Sequence, residues 1–399
     1  MAQRLDRGSV HEGSVEDALL RIAAHKHPAA VDLSGRVRLI TPESTWTVVI
    51  KAGSVTITGQ DSGKVDCTVE SDSETLAGIL TGEESGIEAY LAGRVLVRGS
   101  LAMSLRLESL VEDIGRPTHH HHSFSVMASG VKTFFIEAGK GPPVILLHGL
   151  GATNASFLPT FMELAKDHHV IAPDLPGHGD TGKPVRRYHA GFFARWLDGF
   201  VTELGLDKVT LIGNSMGGRI ALEFGLRHPD KVSALILVCP AMAFLRGREL
   251  VPIVRYMRAE LGVIPLTPSK RRVIQGIKTM FAKPERLRDG WYESAAGEFQ
   301  RVFSGPKGRI AFFSAAREIY LDPPHGERGL WERLGKLAPP TLFIWGAKDR
   351  LVPARFAPHV IKAAPAARSM ILEDCGHVPQ FEKPEELHSA IRAFLTEIA

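Results

Sequence analysis

Cysteine is scarce in this chain. Three thiols, Cys67, Cys239 and Cys375, are spread over 399 residues. They are odd in number and lack metal-ligand spacing, which excludes a disulfide framework and fits a reducing compartment. Long apolar runs are missing as well. No stretch approaches the ~20 residues that a membrane helix requires. Met1-Ala2-Gln3-Arg4-Leu5-Asp6 leads into polar sequence without the apolar centre of a secretory signal, so a cytoplasmic location is expected. A net charge of +4 comes without any basic run interleaved with aromatics, which argues against nucleic acid as a partner. No dinucleotide fingerprint and no metal-ligand spacing is found, so neither cofactor nor metal is expected. The remaining composition, 44% apolar and 23% charged, is that of a globular protein with length for two or three domains.

The stretch with the most chemistry in it is Val209-Thr210-Leu211-Ile212-Gly213-Asn214-Ser215-Met216-Gly217-Gly218. Its first half is a short apolar run with the look of a buried strand. Gly213-Asn214-Ser215-Met216-Gly217 matches G-x-S-x-G, and Ile220-Ala221-Leu222-Glu223-Phe224 continues with helical spacing. Strand, sharp turn and helix form the context of a nucleophile elbow. Such a turn lifts a serine above the sheet in a strained backbone conformation and needs glycines where helix and strand converge.

Two regions of different periodicity flank a polar junction. In the first, Ser14-Val15-Glu16-Asp17 reads as a capped helix start. Alternating segments at 36–39, 46–50, 55–58 and 65–69 predict an antiparallel meander. Helices at 73–80 and 86–91, a strand at 94–98 and a helix at 101–110 follow. Together with Gly82-Glu83, Ala92-Gly93-Arg94-Val95-Leu96-Val97-Arg98-Gly99 and Leu101-Ala102-Met103-Ser104-Leu105, this order resembles the sterol-carrier-protein-type lipid-binding domain over about residues 14–113. The resemblance implies a small α+β fold around an apolar tunnel for a lipid ligand; a scaffold or oligomerisation role is the alternative. The junction, Gly115-Arg116-Pro117-Thr118 with His119-His120-His121-His122, predicts a linker at 116–123 without fixed metal-binding geometry.

Beyond it, short apolar strands at 131–137, 144–147, 170–173, 209–214, 234–238, 341–345 and 370–372 alternate with helical patterns, as in a doubly wound sheet. His148-Gly149, Asp174 with Gly177-His178-Gly179, the elbow, Gly346-Ala347-Lys348-Asp349 and Cys375-Gly376-His377 occur in that order. On these motifs residues 124–399 resemble the α/β-hydrolase family. The fold expected is thus α/β: a mostly parallel α/β-hydrolase sheet with an inserted helical lid at about 241–337, preceded by the sterol-carrier-like domain at 1–115. The resemblance implies Ser215 as nucleophile, Asp349 as acid and His377 as base. Some family members carry the acid one strand earlier, where this chain has Val238-Cys239-Pro240-Ala241 and no carboxylate. His148, Asp174 and His178 are expected to brace loops.

A tetrahedral intermediate requires two aligned N–H donors. Met216 opens the helix after Ser215 and supplies one; Leu150, in the loop after Leu147, supplies the other. The expected activity is hydrolysis of an apolar or lipid carboxylic ester, or a thioester, through an acyl-enzyme. A carbon–carbon bond hydrolase of diketone-type ring-cleavage products is the alternative, because Gly213-Asn214-Ser215-Met216-Gly217-Gly218 looks like that subgroup's elbow. Against it, the turn continues Leu150-Gly151-Ala152-Thr153 rather than with a Gly-Pro-Gly-like loop. A lipid carrier with a vestigial hydrolase half is a third reading. Apolar positions across 250–264 predict an acyl pocket in the lid. Within 244–290, eleven basic residues (Arg246, Arg248, Arg255, Arg258, Lys270, Arg271, Arg272, Lys278, Lys283, Arg286, Arg288) stand against four acids (Glu249, Glu260, Glu285, Asp289). That excess reads first as a solvated helix face, and at most as peripheral membrane contact.

Overall fold

The computed structural model describes residues 14–25, 27, 33–59, 61–112, 121–242, 258–265, 267–326 and 329–398. The chain divides into two compact units, Met1–His122 and Ser123–Ala399. Outside the described residues lie 1–13, most of the expected linker, and Leu250, Val251, Ile253, Val254, Tyr256 and Met257 of the lid. Among the described residues no helix is long and apolar enough to cross a membrane.

The first unit opens with α1 (Val15–Ala24), whose N-terminus is closed by Ser14: its Oγ accepts from the Asp17 N–H at 3.1 Å. Strands β1 (Ser34–Ile40), β2 (Thr45–Lys51), β3 (Ser54–Thr58) and β4 (Cys67–Glu70) precede α2 (Ser73–Thr81), α3 (Gly86–Leu91), β5 (Leu96–Gly99) and α4 (Leu101–Glu112). Ala52 and Gly53, both at positive φ, make the two-residue turn between β2 and β3.

The meander expectation holds for three strands and fails for the fourth. The sheet order is β3-β2-β1-β4-β5, and β4 runs parallel to β1. Period-two alternation assigns side chains to faces but names no neighbour. The crossover is fixed instead by polar bonds: the Asp66 N–H donates to the Arg36 carbonyl at 2.8 Å, and the Arg36 N–H to the Asp66 carboxylate at 2.8 Å. Of the linker expected at 116–123, residues 116–120 lie outside the described residues. His121 is buried with Nε2 3.2 Å from the Leu105 carbonyl, and His122 begins a strand of the second unit's sheet.

That sheet holds β6 (His122–Ala128), β7 (Val131–Ala138), β8 (Pro143–Leu147), β9 (His169–Pro173), β10 (Val209–Asn214), β11 (Val232–Val238), β12 (Thr341–Gly346) and β13 (Arg368–Leu372). Its order is β13-β12-β11-β10-β8-β9-β7-β6. Pairs from β9 through β8, β10, β11 and β12 to β13 are parallel, and β7 is antiparallel to β9. Every residue of β10 and β12 is buried, as expected of strands covered on both faces. Helices α5 (Leu158–Leu164), α6 (Ala190–Glu203) and α7 (Met216–Arg227) connect the first strands.

Between β11 and β12 the chain leaves the sheet for α8 (Lys270–Lys278), α9 (Asp289–Ser304), α10 (Pro306–Tyr320) and α11 (Leu330–Leu334). Then α12 (Ala357–Ala363), α13 (Pro379–Glu382) and α14 (Pro384–Ile398) complete the unit. From β8 the chain winds outward to β9, then returns to β10 and winds the other way. The carboxyl ends of β8 and β10 are therefore the crevice where this architecture places ligands.

Candidate active site

Ser215 sits at the end of β10 with φ 56° and ψ −115°, a conformation costing ~1–3 kcal/mol that the surroundings must hold. They do so through backbone bonds. The Ser215 N–H donates to the Val238 carbonyl at 2.9 Å, and the Ala241 N–H donates to the Ser215 carbonyl at 2.8 Å. A Cβ at Gly217 would fall on the Leu147 carbonyl, and one at Gly213 on the backbone of Gly217, so β8, β10 and α7 meet there with no room for side chains. The Ser215 hydroxyl makes no capping bond to α7.

Asp349 and His377 are in direct contact. Asp349 Oδ1 accepts from the Leu351 and Val352 N–H groups at 2.8 and 2.9 Å. Oδ2 lies 2.7 Å from His377 Nδ1. A carboxylate can only accept, so Nδ1 carries the proton and Nε2 is left as the basic nitrogen. The His377 N–H is anchored on the Met280 carbonyl at 2.7 Å, and the Gly376 N–H on Glu382 Oε2 at 2.6 Å.

Asn214 ties this pair to the elbow, donating from Nδ2 to the His377 carbonyl at 3.0 Å and to the Val238 carbonyl at 3.2 Å. On the other side, a Cβ at Gly149 would stand 3.3 Å from Ser215 Cβ, which brings the turn carrying Leu150 against the serine. Met216 is the first residue of α7. The structure thus joins Asp349 to His377, places Ser215 one residue from their tether, and sets the Leu150 turn beside it.

His148, His178 and Asp174 are braces. The Leu175 N–H donates to His148 Nε2 at 2.9 Å, His148 Nδ1 lies 2.8 Å from the Gly149 carbonyl, and burial with the neighbouring His178 lowers the imidazole to about 3. Burial likewise lowers His178 to about 4. Asp174 accepts from the Asn154 and Asp180 N–H groups at 2.9 and 2.8 Å while burial raises it to about 6.

Cys239, at φ 44°, ends β11 beside the pair. Its Sγ, an Asp349 oxygen and a His377 nitrogen lie within 4.8 Å of one another, the one such donor group among the described residues. Burial and Asp349 push the thiol well above its ordinary range, so it is neutral, and the Asp349 oxygens are engaged as above.

Chain relationships agree with this architecture. Residues 142–384 match the family described as alpha/beta hydrolase fold. The chain belongs to the α/β hydrolase fold family. Residues 16–112 match the SCP-2 sterol transfer family. A 2-hydroxy-6-oxo-6-(2'-aminophenyl)hexa-2,4-dienoic acid hydrolase of Metapseudomonas resinovorans is 32% identical over 282 residues, 69% of this chain and 91% of that protein. Human monoacylglycerol lipase ABHD6 is 26% identical over 292 residues, 70% of this chain and 81% of that protein. The crystal structure of a membrane phospholipase A superimposes with a TM-score of 0.60 at 28% identity, covering 74% of this chain and 92% of that one.

Three features of this α/β hydrolase were missed in the sequence. Glu382 gathers the N–H groups of Gly376, Ala282 and Lys283, fastening the His377 loop to the helical insertion; its place five residues after His377 was an available signal. A buried ion network fixes the elbow helix. Arg219 binds Glu223 at 2.9 Å and, through Nε, Asp322 at 3.0 Å, while Arg333 of α11 forks onto Glu223 with two bonds of 3.0 Å. The third is an apolar wall. A Cβ on Gly151 would lie 3.0 Å from ring carbons of both Phe299 and Phe312. Phe299 stacks on Phe303 at 5.3 Å, and Phe312 meets Phe303 edge-on at 5.3 Å. Of the acyl lining expected at 250–264, residues 250–257 lie outside the described residues, and Leu261, Val263 and Ile264 are exposed; the three rings belong to α9 and α10.

Proposed function

We propose that this α/β hydrolase cleaves an apolar carboxylic ester, or thioester, through an acyl-enzyme on Ser215. The observation that carries the reading is the Asp349–His377 bond at 2.7 Å, tethered through Asn214 to a serine on a strained elbow. In the first half-reaction Ser215 Oγ attacks the carbonyl carbon and His377 Nε2 takes its proton. The oxyanion is received by the N–H groups of Met216 and Leu150, each such donor contributing ~3–4 kcal/mol in the transition state. As the intermediate collapses, His377 returns the proton to the leaving alcohol or thiol. Water then adds to the acyl carbon with His377 again as base, and Ser215 is released. No metal or cofactor enters these steps.

The aromatic wall beside Gly151 supports an apolar group next to the reacting carbonyl, since three rings held edge and face by their neighbours exclude water cheaply. The sterol-transfer match and the monoacylglycerol lipase relative support a lipid ester in particular, with the first unit as the carrier of that lipid or of a related one.

A second reading, carbon–carbon bond hydrolysis of a diketone-type ring-cleavage product, has one specific support. The relative at 32% identity is named for that chemistry. Both readings use the same serine and differ in the bond broken. Purified enzyme is assayed with p-nitrophenyl and glycerol esters of graded acyl length and with a vinylogous 1,5-diketone. Efficient turnover of the longer esters and none of the diketone is expected. Preference for the diketone by more than tenfold in kcat/KM gives the second reading the place of the first.

A further inference from the structure

We propose that the helical insertion carries an interfacial anchor, residues 258–264 together with Lys270, Arg271 and Arg272, that docks on an anionic lipid surface. Ten large apolar side chains of the described chain are exposed, and three of them, Leu261, Val263 and Ile264, fall within four consecutive residues at 39, 64 and 46% exposure. Such clustering on a water-facing surface needs a reason.

The segment is not a loosely held end. Ala259–Val263 forms a 3-10 turn, closed by the Leu261 N–H on the Arg258 carbonyl and the Ile264 N–H on the Leu261 carbonyl, both at 3.1 Å. Gly262 between them is buried so closely against α10 that a Cβ would collide with the backbone at Ile310. The buried Arg309 pins it further, donating from Nε to the Gly262 carbonyl at 2.8 Å. The glycine is the inward wedge, and its neighbours are held outward.

Charge beside the turn has the sign an anionic surface requires. Between 258 and 278 stand Arg258, Lys270, Arg271, Arg272 and Lys278, against Glu260 alone. Lys270 is paired with Glu293 at 3.6 Å and Lys278 with Asp289 at 2.8 Å, while Arg258, Arg271 and Arg272 are exposed. Lys270, Arg271 and Arg272 form the first turn of α8, which has no acid there. Cations at a helix N-terminus oppose its dipole by ~0.3–1 kcal/mol each, so helix stability does not account for their placement. Ile264 and Lys270 are six residues apart, ~20 Å of chain at most.

Aliphatic side chains flanked by basic ones match the boundary of a bilayer, where methyl groups reach the acyl region and guanidinium groups meet phosphates. The protein would lie on the surface rather than span it, in keeping with the absence of a spanning helix among the described residues. This anchor is independent of the bond that the active site cleaves.

The full-length enzyme is tested by co-sedimentation with phosphatidylcholine vesicles containing or lacking phosphatidylglycerol, at two salt concentrations. Binding is expected to the anionic vesicles only, and to weaken with salt. Val263→Asp with Ile264→Asp should reduce the partition coefficient at least tenfold. Arg271→Glu with Arg272→Glu should do so by a similar factor, given the ~1 kcal/mol that each basic residue contributes at such a surface. Turnover of a soluble short ester should stay at wild-type level in both, which separates the anchor from the hydrolase reading. No binding by the wild type, or binding unchanged in both pairs, overturns the proposal. Loss of a dimer in the aspartate pair by sedimentation velocity also overturns it, assigning the patch to a second copy of this chain.

Discussion

Replacing Asp349 by asparagine isolates what the acid does, because the local bonds dictate how the amide must sit. Oδ1 accepts from the Leu351 and Val352 N–H groups at 2.8 and 2.9 Å, and an NH2 group there would set donors against donors. The oxygen of the introduced amide therefore takes the Oδ1 place, and its NH2 group takes the Oδ2 place, 2.7 Å from His377 Nδ1. Nδ1 must then accept, so the imidazole proton moves to Nε2, where it blocks proton removal from Ser215. Geometry is preserved while the tautomer is inverted. The serine-protease triad sets the scale of that inversion at ~10⁴ in kcat, which is ~5 kcal/mol of transition-state stabilisation. The assay pairs kcat on a p-nitrophenyl ester with a thermal melt. A fall of roughly 10³–10⁴ in kcat with little change in melting temperature is expected. An asparagine variant within tenfold of wild type would refute the assignment of Asp349 and the tautomer argument together.

Other outcomes follow from neighbouring features. Burial alone would raise Glu223, but Arg219 and Arg333 hold it down at about 2, below its ordinary 4.5. A depressed carboxyl stabilises the fold fully above pH ~4.5 and loses that contribution, about 3 kcal/mol, as pH falls toward 2. Glu223→Gln should flatten the acid-side dependence of the melt, with the other depressed carboxyls such as Glu163 and Asp167 still contributing, and lower the melting temperature on the order of 10 °C near neutrality; an unchanged pH profile would contradict the network's role. Phe312→Ala, opening the wall beside Gly151, should move the best acyl length among graded esters by two or more carbons while acetate turnover stays within threefold. An identical chain-length profile would remove the wall from the substrate path. A fluorescent fatty acid should bind the full-length protein and be displaced by sterol or acyl competitors but not by labelling Ser215; failure to bind would leave the first unit as a scaffold.

The legible parts of this molecule were those with a single physical solution. Gly213-Asn214-Ser215-Met216-Gly217 could be read because converging strand and helix leave no space for Cβ atoms, and the structure shows that crowding at Gly213 and Gly217. Strands β8, β10, β11 and β12 were visible as apolar runs because both their faces are buried. The parallel return of β4 was not visible, since its pairing depends on the Asp66 and Arg36 bonds rather than on alternation. The aromatic wall was hidden for a similar reason. Phe299, Phe303 and Phe312 are spaced as any helix core would be, and only the approach of Gly151 selects them. The Arg219–Glu223–Arg333 network joins residues 110 positions apart, a partnership that charge patterning within one helix cannot announce.

The central claim is that Ser215 is an activated nucleophile, and covalent labelling tests it without a known substrate. Wild-type enzyme is treated with a fluorophosphonate at neutral pH and examined by intact mass and peptide mapping, beside Ser215→Ala, His377→Ala and Asp349→Asn. The account predicts one adduct per chain, mapped to Ser215, absent from Ser215→Ala and formed at least 10²-fold more slowly in the other two. No adduct on the folded wild type, or an adduct elsewhere that persists in Ser215→Ala, would contradict it.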